Sequence, residues 1–296
     1  MAARWLDLLD PTPEELRSAL PPQVGPDVLE ELAADPDGRA RPLLEAHAGY
    51  AFGVFVSILP DPSEDRFVNR QIGVVATKEL LVTVRRTPVD GPPWDPAPLR
   101  TAGDDPVGLL LHRIVDDVAE SYLDVVDAAD AEIDELEDHI EDWSSSEVRR
   151  RLATLRHDLI DARRVVGATR SAVRSVVDRT LDLGDGELFP EPVERRFADT
   201  YDTLFRAAEE LDVARELLSS SRDYHQSLIA ENQNEVVKKL TVIASILLLP
   251  TFIVGFYGQN FVSAFNDGYW TIGVSAALIL GSTVLQLAMY RWRRWI

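Results

Sequence analysis

The chain contains no cysteine, and its two methionines are Met1 and Met289. Disulfides, thiolate zinc centres and Cu(I) sites are therefore excluded. Five histidines, His47, His112, His139, His157 and His225, are scattered without metal-ligand spacing. There is no glycine-rich phosphate loop, no nucleophile elbow and no grouping of His, Asp and Ser for nucleophilic catalysis. No enzymatic activity and no resident cofactor are expected. Basic charge is also scarce: 30 Lys and Arg stand against 50 Asp and Glu, a net charge of −20. A surface of that sign argues against nucleic acid, whose phosphates require basic groups. The N-terminus, MAARWLDLLDP, has neither a cationic start nor an apolar core, so no signal peptide is expected.

Charge of either sign is missing from two long runs near the C-terminus. No side chain is charged between Lys239 and Asp267, and none between Asp267 and Arg291. Each run exceeds the roughly 20 residues that a helix needs to cross a ~30 Å hydrocarbon core. GQNFVSAFNDG, between them, is too short for a folded domain. The pattern reads as a transmembrane hairpin ending an otherwise soluble chain. Lys238 and Lys239 precede the first span, and Arg291, Arg293 and Arg294 follow the second. Cationic flanks stay on the cytoplasmic side, which puts both termini there and the loop outside. Trp270, Tyr290, Trp292 and Trp295 stand where interfacial aromatics belong. Five basic groups against Asp267 leave residues 236–296 at +4, hence residues 1–235 at −24. An acidic surface of that kind serves solubility or concentrates divalent cations.

Residues 1–104 read as a small α/β domain. PEELRSAL and PDVLEELAA are helical, and Tyr50–Leu59, Gln71–Ala76 and Leu80–Arg85 are the clearest strands. Residues 105–183 read as an antiparallel helical hairpin. Its first helix repeats apolar residues at Val107, Leu111, Ile114, Val118, Tyr122, Val125, Ala129, Ile133, Leu136, Ile140 and Trp143. Between Asp116 and Asp142 it carries thirteen Asp and Glu and no Lys or Arg. Those acids form a solvated face or a cation-concentrating one. SSSE predicts a capping box with Ser144 as N-cap and Glu147 at N3. The next helix is rich in arginine, which is expected to neutralise its acidic neighbour. A third helix, over 190–257, meets no stop before Gly258, and Pro250 lies at membrane depth, where a kink is accommodated. Some sixty-five residues at 1.5 Å rise make a rod on the order of 100 Å. The external loop is set at 258–268, the second span at 269–290 and the basic tail at 291–296.

TVIASILLLPTFIVGFYGQNF is similar to the first membrane helix of the CorA family of divalent-cation channels, which closes on a Tyr-Gly-Met-Asn-Phe signature. This chain has Tyr257, Gly258, Gln259, Asn260 and Phe261, departing only at Met. NEVVKKLT before it, the short loop, second span and basic-aromatic tail after it, and LVTVRR in the strands match the family as well. The resemblance implies an α+β cytoplasmic domain, long stalk helices and two C-terminal transmembrane helices, assembled as a funnel-shaped homopentamer with the first span lining the pore. It implies a selectivity filter at Gly258, Gln259 and Asn260. Asn234, Thr241 and Thr251 would be polar pore positions, and Val237, Leu240 and Leu248 would form a gate that closes by dewetting. FADTYDTL resembles a family segment whose acid binds regulatory Mg²⁺. That acid falls on Asp199, with Asp61 or Asp65 as the partner from the α/β domain. Mg²⁺ would then be both cargo and regulator, with Co²⁺ and Ni²⁺ also carried. Gln259 leaves two other readings open: a zinc transporter of the ZntB type, or a non-conducting membrane-anchored sensor or scaffold.

Overall fold

A computed structural model of the chain describes residues 3–34, 40–61, 66–100, 105–181, 183, 188–260 and 268–295. Five strands form one sheet: β1 (Arg4–Leu9), β2 (Leu43–His47), β3 (Tyr50–Asp61), β4 (Arg66–Ala76) and β5 (Leu80–Arg85). The spatial order is β1-β5-β4-β3-β2. Strands β2 to β5 make an antiparallel meander, and β1 joins its far edge parallel to β5. The expected strands are present, and β3 and β4 run longer than their apolar centres because their ends pair with each other, Asp61 opposite Arg66. Strands β1 and β2 lacked a clear alternating pattern in the sequence.

The sheet is buried on both faces, so β3 reads as a continuous apolar run rather than an alternating one. Helices α1 (Pro13–Ala19) and α2 (Pro26–Ala33) pack Leu16, Val28 and Leu32 against Phe52, Val54, Val75, Val82 and Val84. A Cβ at Gly73 would meet the end of the buried Leu32 side chain, which would have to shift to admit it. Helices α3 (Val107–His139) and α4 (Ser145–Val177) also pack on the sheet. Every apolar residue of the α3 repeat from Val107 to Ile140 is buried, so the seam is a core seam. At its centre the Tyr122 hydroxyl donates to Val56 O at 2.7 Å and lies 2.9 Å from Thr169 Oγ1. Full burial pushes that phenol well above its ordinary value.

One compact unit spans Met1–Arg222, and a second spans Asp223–Ile296. No boundary falls at 104/105, because α3 and α4 share the core of the sheet. The boundary lies instead within α5 (Glu191–Asn260), a single helix. Its partner in the second unit is α6 (Gly268–Trp292).

Two details of the α3–α4 turn depart from expectation. Ser144 caps α4, accepting from Glu147 N at 3.2 Å, but the return half of the box is missing. The Glu147 carboxylate is taken by Arg150 at 2.6 Å. The α4 arginines also serve more than the acidic helix. Arg151 reaches back to Glu132 and Glu135 of α3, at 2.6 and 2.8 Å, with its guanidinium 4.4 Å from the Trp143 ring. Arg163, and Arg179 just past the end of α4, turn the other way, to Asp212 and Glu194 of α5.

Arg151 raises a testable expectation. Its hydrogen bonds hold the Glu135 carboxyl below the ordinary carboxylate value. A depressed folded-state value stabilises above the ordinary one, and that gain is lost as pH falls through the depressed value. Arg151→Ala should lower stability toward the low end of about 3–5 kcal/mol, because Glu132 stays half-buried without a partner. It should also flatten the acid side of the profile. The thermal midpoint followed from neutral pH into the carboxylate range checks both.

Candidate functional site

In the second unit, α5 and α6 are antiparallel, and each contains a segment long and apolar enough to cross a bilayer. The α5 side chains shielded from solvent, Val242, Ser245, Ile246, Leu249, Pro250, Ile253 and Tyr257, mark one face, and Ser245 on it bonds α6. On α6 the shielded side chains are Ser275, Ile279, Ser282, Thr283, Gln286 and Tyr290. The contact is polar at one end. Ser245 Oγ donates to Val242 O at 2.9 Å, so Tyr290 donates to Ser245 Oγ, at 2.6 Å. Gln286 Nε2 donates to Ser245 O at 3.2 Å. That carbonyl is one residue from Ile246, whose own C=O loses its helical donor to Pro250.

The sequence offered a signal for this clasp, polar side chains inside a charge-free span, which hydrocarbon penalises unless they are paired. Tyr290, expected among the interfacial aromatics, is turned inward and only 7% exposed. Pairing Ser245 with Tyr290 also sets Lys238 and Lys239 at the same end of the hairpin as Arg291, Arg293 and Arg294. All five are exposed.

The polar and apolar pore positions inferred from resemblance fall on the other side of α5. At about 100° per residue, Val237, Leu240, Leu248 and Thr251 lie within roughly 50° of the pole opposite the α6 contact, and Thr241 stands slightly further round. Asn234 sits at the margin of this face, about a quarter turn from that pole. All six are exposed. Both threonines are committed as donors to their own helix, Thr241 to Val237 O at 2.8 Å and Thr251 to Leu247 O at 2.7 Å. Their oxygen lone pairs are left as acceptors, able to take hydrogen bonds from water. The α5 backbone is helical through Gly258, Gln259 and Asn260; their side chains lie outside the described residues, as does the loop at 261–267.

The regulatory positions belong to the first unit. Asp199 is exposed on α5. Asp65 and the Asp61 side chain lie outside the described residues. Among the described residues, no three His, Asp or Glu gather as a metal site. Beside Asp199, sequence reasoning missed a junction of α5 with α3. Thr200 Oγ1 donates to Asp116 Oδ1 at 2.7 Å and lies 3.1 Å from His112 Nε2. The His112 ring packs edge-on against Phe197. Burial pushes its imidazole below the ordinary value, against the pull of Asp116.

These features define a protein with an α/β unit whose last helix becomes the first of two membrane-spanning segments. A family model described as CorA-like Mg²⁺ transporter protein matches residues 2–292, and the chain belongs to that family of transporters. It is similar to the cobalt/magnesium transport protein CorA of Thermotoga maritima, 25% identical over 281 residues, covering 92% of this chain and 77% of that protein. It is also similar to the zinc transport protein ZntB of Pectobacterium carotovorum, 22% identical over 299 residues, covering 98% of this chain and 84% of that one. The fold matches the complete structure of the CorA magnesium transporter from Methanocaldococcus jannaschii, with a TM-score of 0.79 and 21% identity over 99% of this chain and 91% of that chain.

The clasp gives a prediction of its own. Gln286→Leu removes the donor to Ser245 O, and inter-helix bonds of this kind in membranes are worth about 0.6 kcal/mol on average and up to about 1.7. A lower thermal midpoint, reporting a stability loss of that order, is expected in detergent, with Gln286→Asn, which keeps an amide, closer to the parent.

Proposed function

We propose that several copies of the chain assemble around an axis lined by the outward face of α5, and that hydrated Mg²⁺ passes along it. The observation that carries this reading is the row Val237, Thr241, Leu248 and Thr251, exposed on the face away from α6 and free of any charged group. A lone helix of this composition cannot pass a divalent ion, because charge in hydrocarbon costs several kcal/mol or more. Symmetric copies turn each exposed residue into a ring around water. Mg²⁺ dehydrates reluctantly and keeps its waters. Rings of hydroxyl and amide oxygen take hydrogen bonds from those waters without stripping them. Asn260 and Gln259 are assigned to the outer mouth, and Asn234 to the inner end. Val237, Leu240 and Leu248 close the path by dewetting. Family resemblance implies five copies.

The cationic flanks support placement in the inner membrane with both termini in the cytoplasm. Flux would be passive: for two charges the membrane potential supplies about 4.6 kcal/mol per 100 mV. Cytoplasmic Mg²⁺ bound at Asp199 would hold neighbouring copies together and the path closed. As it leaves, repulsion among carboxylates would loosen the assembly.

Flux into liposomes tests the reading. Mg²⁺ entry that falls to background in Asn260→Ala is expected. Zn²⁺ entry that needs a proton gradient would instead favour the chemistry named for the ZntB relative, and a well-folded oligomer that passes no divalent ion would make the chain a sensor or scaffold.

Gating has a separate readout. Asp199→Lys should leave flux open at cytoplasmic Mg²⁺ concentrations that close the parent, and an unchanged closing concentration would remove Asp199 from the gate.

A further inference from the structure

A cavity of about 220 Å³ in the first unit lies between α4 and α5. Arg156 enters it from α4, and Arg215 and Arg222 from α5. Leu152, Ile160 and Leu218 supply its apolar lining, and Ser219 adds a hydroxyl. Among the described residues, no carboxylate lines it. Nor, among them, does Arg156 or Arg222 have an ion pair, whereas the neighbouring Arg163 and Arg151 are both doubly bonded to carboxylates. Arg215 stands 3.5 Å from Asp212 Oδ1, but Asp212 is already held at 3.0 Å through both oxygens by Arg163.

This arrangement is unusual for the chain that contains it. With 50 acids to 30 bases, a carboxylate partner is available to most arginines, yet three arginines, all exposed, line one space without a carboxylate. Like charges so placed repel, and an anion between them turns the repulsion into attraction. The guanidinium fork presents paired N–H donors matched to the edge of a phosphate or carboxylate. The cavity admits a tetrahedral oxyanion together with a few waters, each of which takes about 30 Å³ in the liquid. It lacks the extended apolar walls that a planar organic ligand needs.

We propose that this cavity is a binding site for a phosphate-type oxyanion, with Arg156, Arg215 and Arg222 as its ligands and Ser219 as a further donor. The bound anion ties α4 to α5 beyond the Arg163–Asp212 pair, so it stiffens the part of α5 that precedes the second unit. The site needs neither a metal nor the conduction path, and it stands or falls independently of transport.

The test uses the full-length protein in detergent. The thermal midpoint and the binding of labelled inorganic phosphate are followed as phosphate is added, with chloride at matched ionic strength as the blank. A saturable rise with phosphate is expected, and Arg156→Gln and Arg222→Gln should each weaken binding by about tenfold or more. Arg222→Lys, which keeps the charge without the fork, should fall between. Arg149→Gln, an exposed α4 arginine outside the cavity, should bind as the parent does. Equal midpoints of all variants in chloride show that they fold. A metal-free nucleoside triphosphate and vesicles containing phosphatidate provide two further arms. If either competes for the site better than inorganic phosphate, the ligand is the phosphate group of that larger molecule, and the site stands. If phosphate acts no differently from chloride, or if the two Gln variants bind it as tightly as the parent, the proposal is overturned. Mg²⁺ flux plays no part in the readout, so loss of transport and loss of anion binding are told apart.

Discussion

Inside hydrocarbon every backbone N–H and C=O must find its partner within the protein, and the second unit is built around that requirement. A continuous α5 meets it for nearly every residue, and Pro250 is the exception, since proline donates no hydrogen bond. The strongest polar contacts of the hairpin gather close by, on Ser245, Gln286 and Tyr290. Thr241 and Thr251 follow the same rule by bonding back to their own helix. The outward face of α5 is consequently left with apolar side chains and hydroxyl lone pairs, a surface suited neither to free water nor to a bare ion.

The first unit is governed by charge as much as by burial. The seam of α3 is apolar, and its exposed acids crowd one another. Burial and the neighbouring Asp116, Asp117 and Asp124 push the Glu120 carboxyl above its ordinary value, and burial with Asp134 and Asp127 does the same at Asp130. Arginines on α4 relieve part of this crowding. Arg151 is the clearest case, because Trp143 and two glutamates fix a group that would otherwise be a buried charge. Arg163 of α4 and Arg179 just past its end pair with α5, so that helix is held to the first unit by two ion pairs and the Thr200 junction beside a buried apolar row that includes Phe197, Leu204 and Leu211.

Two Ser/Thr-x-x-Glu strings show how local rules meet tertiary competition. Thr12 and Glu15 form a complete capping box at α1, with both reciprocal bonds present. Ser144 and Glu147 have the same spacing, but Arg150 lies within reach and takes the carboxylate. Spacing made both boxes possible; the neighbouring cation decided which one closed. Strands β1 and β2 were illegible for a related reason. They are short edge strands whose burial is partial, so neither shows the alternation or the continuous apolar run by which β3 and β5 declare themselves.

By itself the sequence determined whatever depends on the periodicity of one segment. The two charge-free spans, the α3 seam, the length of α5 and the Tyr257-to-Phe261 motif are all of this kind, because a helix or a membrane span is a property of consecutive residues. Only the tertiary structure decided which face of α5 meets α6, that Tyr290 turns inward, that α3 and α4 share the sheet's core, and that Arg156, Arg215 and Arg222 line one cavity. Those outcomes depend on the angle at which one helix meets another, and no single segment carries that angle in its own pattern.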